Sequence, residues 1–186
     1  MSDEMSDDPE RYAPSDAELR SILGDAKTIA VVGLSANPLR HSNDVSTFLQ
    51  EKGYRIVPVN PNETEVLGER AYPSLDDVPA DVAIDVVDVF RRAEHTPEIA
   101  EQAVRRRAKV LWLQDGIVND DARRIAEEGG LTVIMGVCIQ RTKRRLDRGF
   151  GGEDEPKASA APERDRGFGG EDEPEASGAP ESDKET

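Results

Sequence analysis

The sequence predicts a doubly wound α/β fold: one five-stranded parallel sheet with helices on both faces. Three observations predict it. Five short apolar runs, rich in Val and Ile, recur along the central part of the chain. Segments of helical period separate most of them. The first run ends at Gly33 and is followed by a loop of small polar residues that opens a helix.

Each element has a local reason. Ser15 caps a first helix, "SDAELRSILG", with Glu18 completing a capping box and Gly24 stopping it. "KTIAVVG" is an apolar run suited to a strand buried on both faces. "NDVSTFLQEKG", residues 43–53, places Val45, Phe48 and Leu49 on one helical face. "YRIVPVN", residues 54–60, is the second strand. "VLGERAYPSLDDVP" reads as an irregular connection with a short helix near 74–78. "DVAIDVVDV", residues 81–89, is the third strand. "AEHTPEIAEQAVRRR" is helical, with Pro97 in its first turn and Ile99, Ala103 and Val104 facing inward. "KVLWLQ" is the fourth strand, with Trp112 in the core, and "NDDARRIAEEGG" is a helix stopped by glycine. "LTVIMG" is the fifth strand, and "IQRTKRRL" closes the domain as a helix. Right-handed crossovers then suggest a Rossmann-like order, 3-2-1-4-5, with ligands at the carboxyl ends of the strands, near a switch between strands one and four.

Charge divides the chain into three parts. The 186 residues carry a formal charge of −15, but residues 19–146 hold 19 acids against 18 bases. The acidity therefore sits in the ends, and an acidic chain opposes nucleic acid binding. Residues 1–14 and 147–186 are expected to be disordered acidic ends around a domain at 15–146. Residues 147–164, "DRGFGGEDEPKASAAPER", recur at 165–182 as "DRGFGGEDEPEASGAPES". Each copy holds one large apolar residue, Phe150 or Phe168, too little to offset ordering entropy. The duplicated tail reads as a solubilising segment or as a handle for a protein partner; a homo-oligomer also stays open. No apolar run approaches membrane-spanning length, and the acidic start lacks the regions of a signal peptide. With one cysteine there is no intrachain disulfide. A soluble, cytoplasmic protein is expected, and its acid-rich, lysine-poor composition suits a halophile.

The strand ends gather anion-binding groups. Gly33 permits close backbone approach. Ser35, Asn37, Ser42 and Asn43 offer neutral hydrogen-bonding groups, and Arg40 a charged fork suited to phosphate. The next helix adds unpaired N–H groups and a positive dipole end. The loop has neither a lysine-containing P-loop nor G-x-G-x-x-G, which argues against triphosphate hydrolysis. Strand two ends at "VPVNPN", with neutral Asn60 between Pro58 and Pro61. NAD-binding folds use an acid there for the ribose, so NAD is disfavoured, whereas a ribose bearing extra phosphate tolerates this corner.

The sequence resembles the CoA-binding domain family, small stand-alone Rossmann-like proteins similar to the N-terminal domain of the succinyl-CoA synthetase alpha subunit. The resemblance rests on "GLSANPLRHS", "GYRIVPVNP", "LGERAYPSLDDVP", "DVVDVFRRAE" and "KVLWLQDGIVNDDA" together with a late cysteine, and covers residues 25–145. It implies that the ADP moiety of CoA is held by the first loop and the second strand end. By position, Gly33, Ser35, Arg40 and Ser42 would meet phosphate, and Leu34, Asn37 and Asn43 of the same loop count with the cofactor-binding residues. Pro58, Asn60 and Pro61 would border adenosine. Val87, Phe90 and Arg91 would line the crevice from strand three, and Gln114 and Gly116 would close it from strand four. Where the family often has Asp-Arg-Cys, this chain has Gly136-Val137-Cys138.

Cys138 reads as a small buried apolar residue; the sharper alternative is a thiol facing the end of bound CoA. Arg141 could serve it as a basic neighbour if the chain turned back. His41 reads as an exposed histidine of the anion loop, with a phosphate contact as the sharper alternative, and His95 as a helix-start residue; two isolated histidines with one distant cysteine give no metal-ligand spacing. Asp85, Asp88 and Asp115 are read as caps for neighbouring helices. The expectation is a CoA or acyl-CoA binding protein without a catalytic centre. The alternative is an NADP-binding or thiol-redox protein using Cys138.

Overall fold

The computed structural model describes residues 14–149. The expected disordered ends and the tail duplication lie outside the described residues, apart from the few nearest the domain. The elements follow the expected alternation: α1 (Asp16–Asp25), β1 (Thr28–Val32), α2 (His41–Glu51), β2 (Arg55–Val59), β3 (Glu65–Val66), β4 (Glu69–Arg70), β5 (Val86–Val89), α3 (Thr96–Arg105), β6 (Val110–Leu113), α4 (Asp120–Glu128), β7 (Thr132–Ile134) and α5 (Ile139–Asp147). Five of the strands form one parallel sheet, a Rossmann-like α/β core.

The strand order corrects the expectation. It is β2-β1-β5-β6-β7, so the third long strand lies beside the first and not beside the second. The switch point falls between β1 and β5 instead of between the first and fourth long strands. The cause is local. Beyond β2, the chain turns back and lays Tyr72 along that strand's outer edge: Asn60 N–H donates to Tyr72 O at 2.8 Å and Tyr72 N–H to Pro58 O at 3.0 Å. The carboxyl end of that edge is taken, and the chain crosses to the other side of β1. The connection also contains the hairpin β3–β4, turned by Leu67 (φ 54°) and Gly68 (φ 75°). Two successive positive φ values give the turn type that suits tight hairpins. The short helix expected near 74–78 is only a pair of turns, Asp77 N–H to Ser74 O and Val78 N–H to Leu75 O.

The third long strand is shorter than its sequence suggested. Asp85 ends the irregular stretch: its carboxylate accepts from Lys27 N–H (2.9 Å) and Thr28 N–H (3.1 Å) and pairs with Lys109 at 2.7 Å. Residues 81–84 lie outside the strand, where Arg106 donates to Pro79 O (2.8 Å) and Val82 O (3.2 Å). At the other end α5 runs through Asp147, which pairs with Lys52 at 3.0 Å. The expected domain limit at 146 therefore cuts the last turn of a helix.

Two apolar clusters cover the sheet. On one face, Leu19 and Leu23 of α1, Val45, Phe48 and Leu49 of α2 and Ile139 and Leu146 of α5 surround Ile29, Val31, Val86 and Trp112. On the other, Ile99, Ala100 and Ala103 of α3 and Ala122 and Ala126 of α4 meet Ala30, Val32, Val87, Val89, Leu111 and Leu113. Alternate residues of each strand serve opposite faces, as a doubly covered parallel sheet requires. Trp112 is fully buried, and its indole N–H donates to Val137 O at 2.7 Å. Among the described residues no helix is long and apolar enough to cross a membrane.

Candidate functional site

The site begins where β1 ends. Gly33 has φ 89°, and a Cβ there would lie 2.6 Å from the Phe90 carbonyl oxygen and 3.0 Å from Arg91 Cδ. The ends of β1 and β5 thus touch backbone to backbone, which only glycine permits at this φ. Gly33 N–H donates to Val59 O and Phe90 N–H to Val32 O, both at 2.8 Å, so the ends of β2, β1 and β5 are tied at one level. Arg91 lies exposed at this junction. Phe90 meets His41 edge-on, with ring centroids 5.9 Å apart.

The loop from β1 to α2 is held from within. Ser35 N–H donates to Ser42 Oγ at 3.2 Å, and Asn43 Nδ2 donates to Ser35 O at 2.8 Å. Asn37 N–H donates to Ser35 Oγ at 3.2 Å, and Leu39 N–H to Asn37 Oδ1 at 2.9 Å. The neutral groups of Ser35, Asn37, Ser42 and Asn43 therefore shape the loop. α2 starts on Arg40 as its N-cap residue, with no side-chain cap. α3 and α5 likewise start without a side-chain cap, whereas α1 is capped by Ser15 and α4 by Asn119. The first N–H groups of any helix lack intrahelical partners, and its start carries positive partial charge. An arginine at that point is electrostatically favourable when an anion shares the position.

The second strand end is bound to this loop. Asn60 is buried; its Nδ2 donates to Leu34 O at 3.0 Å, and its Oδ1 accepts from Asn62 N–H at 3.0 Å. Pro58 is buried in β2, whereas Pro61 is exposed. Leu34 and Val87 are both fully buried in the core, Val87 two residues before its strand ends. An acid is present at this corner after all. Glu63 reaches back so that its Oε1 accepts from Ala36 N–H at 2.9 Å. The strand pattern ends on neutral Asn60 and so did not point to it; the available signal was an acid shortly beyond the proline turn.

At the end of β5 lies a buried polar pair. Gln114 Nε2 donates to Asp88 Oδ1 at 2.6 Å, with Asp88 at 0% and Gln114 at 2% exposure. The remaining oxygens, Asp88 Oδ2 and Gln114 Oε1, have no partner among the described residues. Burial pushes the Asp88 carboxyl up to about 7, against the lowering effect of the Gln114 and Val89 hydrogen bonds. Asp88 was also missed as a site residue, because a strand pattern does not show which polar residue is sealed inside.

None of the three aspartates read as helix caps serves that purpose. Asp85 holds the start of β1, Asp88 pairs with Gln114, and Asp115 pairs with Arg141. Asp88 lies within β5, Asp85 and Asp115 flank strands, and the partner of Asp115 comes from α5. Gly116 (φ 73°) turns the chain after β6, where Ile117 N–H closes on Gln114 O at 3.0 Å. Cys138 is 2% exposed within the first apolar cluster, and Arg141 faces Asp115. Among the described residues no group of three or more His, Cys, Asp or Glu is placed to hold a metal ion.

A parallel sheet with a glycine-pinned loop at its switch point, leading into a helix, defines a Rossmann-like α/β domain. The family model for the CoA binding domain matches residues 27–142, and the chain belongs to that family. An uncharacterized Bacillus subtilis protein, YneT, is 48% identical over 127 residues, covering 68% of this chain and 93% of that protein. The alpha subunit of an ADP-forming acetate–CoA ligase II from Pyrococcus furiosus is 37% identical over 121 residues, 60% of this chain but only 26% of the subunit. A hypothetical protein from Pyrococcus horikoshii has a solved structure that superposes with TM-score 0.69 at 42% identity, covering 72% of this chain and 92% of that one.

Proposed function

We propose that this protein binds CoA or an acyl-CoA at the β1/β5 switch point and has no complete catalytic centre of its own. The observation that carries the reading is the start of α2: a helix without a side-chain cap, opening on Arg40, immediately beyond the Gly33 contact. Arg40 and the N–H groups of the first turn would hold the diphosphate. Arg91 would approach the same anion from β5. The exposed ring of Pro61 would border adenine, with Asn60 holding that turn against Leu34. Phe90 and Gly116 would shape the remainder of the crevice, with Gln114 and Cys138 buried behind it.

Binding without chemistry is supported by how the reactive groups are used. A nucleophile needs a base within hydrogen-bond reach. Cys138 is sealed in the core, and Arg141, its candidate basic neighbour, pairs with Asp115. His41 and His95 are exposed at helix starts. The activity of the acetate–CoA ligase subunit belongs to a protein of which this chain spans 26%.

Titration calorimetry with CoA, dephospho-CoA, NAD and NADP tests the proposal. CoA should bind tightest. Arg40→Ala should weaken it about ten- to a hundredfold, the worth of one charge-assisted hydrogen bond. Stronger binding of NADP than of CoA would replace this reading with the dinucleotide alternative.

A further inference from the structure

We propose that Glu63 is an internal competitor for the anion site, a carboxylate that holds the β1–α2 loop until a ligand anion takes its place. The inference rests on the CoA reading and adds a residue that sets its affinity and anion selectivity.

The N–H groups of the loop fall into two sets. Ser35 N–H is satisfied by Ser42, Asn37 N–H by Ser35, Leu39 N–H by Asn37 Oδ1, and Arg40 N–H by Asn37 O at 3.0 Å. Pro38 has no N–H. Every one of these partners comes from the loop or from the start of α2, and every one is uncharged. Ala36 is different: its N–H bonds to an acidic side chain brought in from another segment, Glu63 Oε1 at 2.9 Å. A loop donor that is not committed locally is thus occupied by the chain's own anion.

Glu63 is placed for this by the turn after β2. Its own N–H donates to Asn60 O at 3.3 Å, and Asn60 in turn holds Leu34 O. The backbone of the turn is therefore fixed against the loop, while the carboxylate is attached through a rotatable side chain. That carboxylate is half-buried and leans on the Ala36 amide, so it can rotate away without breaking the turn. A phosphate oxygen reaching Ala36 N–H would meet it at close range, and two anions cannot share one donor. A ligand with several anchoring points, such as a nucleotide diphosphate, can displace it; a small anion with one point of attachment gains too little. The carboxylate would thereby hold free phosphate out of the loop.

Calorimetry with full-length wild type, Glu63→Ala and Glu63→Gln tests this, using CoA and inorganic pyrophosphate as probes. Thermal melts of the unliganded proteins first establish that each variant is folded; Glu63→Gln, which keeps the shape and the acceptor, serves if Glu63→Ala is not. The expected result is that removing the charge tightens both probes, CoA by about tenfold in Glu63→Ala. Unchanged or weaker CoA binding in both variants would overturn the competitor role and leave the CoA reading standing. Failure of all three proteins to bind CoA would overturn the CoA reading, and the competitor role with it.

Discussion

Gly33 shows how much a single residue fixes. It combines a left-handed φ with a neighbour so close that a methyl group would sit 2.6 Å from the Phe90 carbonyl oxygen. Gly53 has a similar φ of 92° but nothing within 4 Å of an added Cβ. Comparing the two separates backbone strain from crowding. Gly53→Ala should cost about 1 kcal/mol, and Gly33→Ala at least about 2 kcal/mol more. Urea unfolding midpoints measure both; equal losses would mean that the β1 and β5 ends can part without penalty. The special loop at Gly33 was legible in the sequence, because a glycine directly after a buried apolar run both ends the strand and frees the backbone to turn. The roles of Asn60 and Glu63 were not. Their partners, Leu34 and Ala36, are 26 and 27 residues away, and only the folded sheet brings them together.

Among the elements, those with strong local signals matched best. α1 has the expected capping box: Ser15 N–H and Oγ both donate to Glu18 Oε2 at 2.8 Å, and Glu18 N–H donates to Ser15 Oγ at 3.3 Å. Its inner residues, Leu19 and Leu23, are buried, and Tyr54 O–H donates to Leu23 O at 2.6 Å, fixing the helix to the start of β2. Ser15→Ala should lower stability by about 1 kcal/mol, seen as a reduced thermal midpoint. No change would mean that core packing and the Tyr54 bond hold the helix without the cap. The strand order was not legible for a physical reason. Both edges of β1 accept a parallel partner, so local pattern could not say on which side the third long strand would lie. That was decided by the Tyr72 segment, whose sequence, with Pro and Gly and no helical period, read only as a connection.

For the molecule as a whole, the titrating groups set opposing pH trends. Hydrogen bonds and cations hold Asp76 and Asp147 below the ordinary carboxylate range, with Arg105 and Lys143 respectively the first cause. For Asp85 the desolvation of burial pushes upward, but Lys109 and the Lys27 and Thr28 N–H groups outweigh it and lower the carboxyl. These groups contribute stability that is present above pH ~4 and lost as acid protonates them. Asp88 acts in the opposite sense. Its folded value of about 7 lies above its unfolded one, so between pH ~4 and about 7 the unfolded chain releases a proton that the native state keeps. Stability should therefore peak near pH ~5 and decline toward neutrality, by a few kcal/mol at most. Asp88→Asn should remove that decline and be more stable than wild type at pH ~8, because an amide supplies a donor for the unpartnered Gln114 Oε1 without a buried charge. Chemical denaturation across pH ~4–9 checks it; parallel curves for the two proteins would show that Asp88 is not the titrating group.

The segment through Tyr72 has one more effect. A flat sheet with bare margins invites other chains to zip onto it. Here the carboxyl end of one margin is taken by the molecule's own backbone at Tyr72, and the opposite margin, β7, offers only three residues, Thr132–Ile134. What another copy could share is the first residues of β2 and the three of β7, so a ladder between copies would be short at either margin.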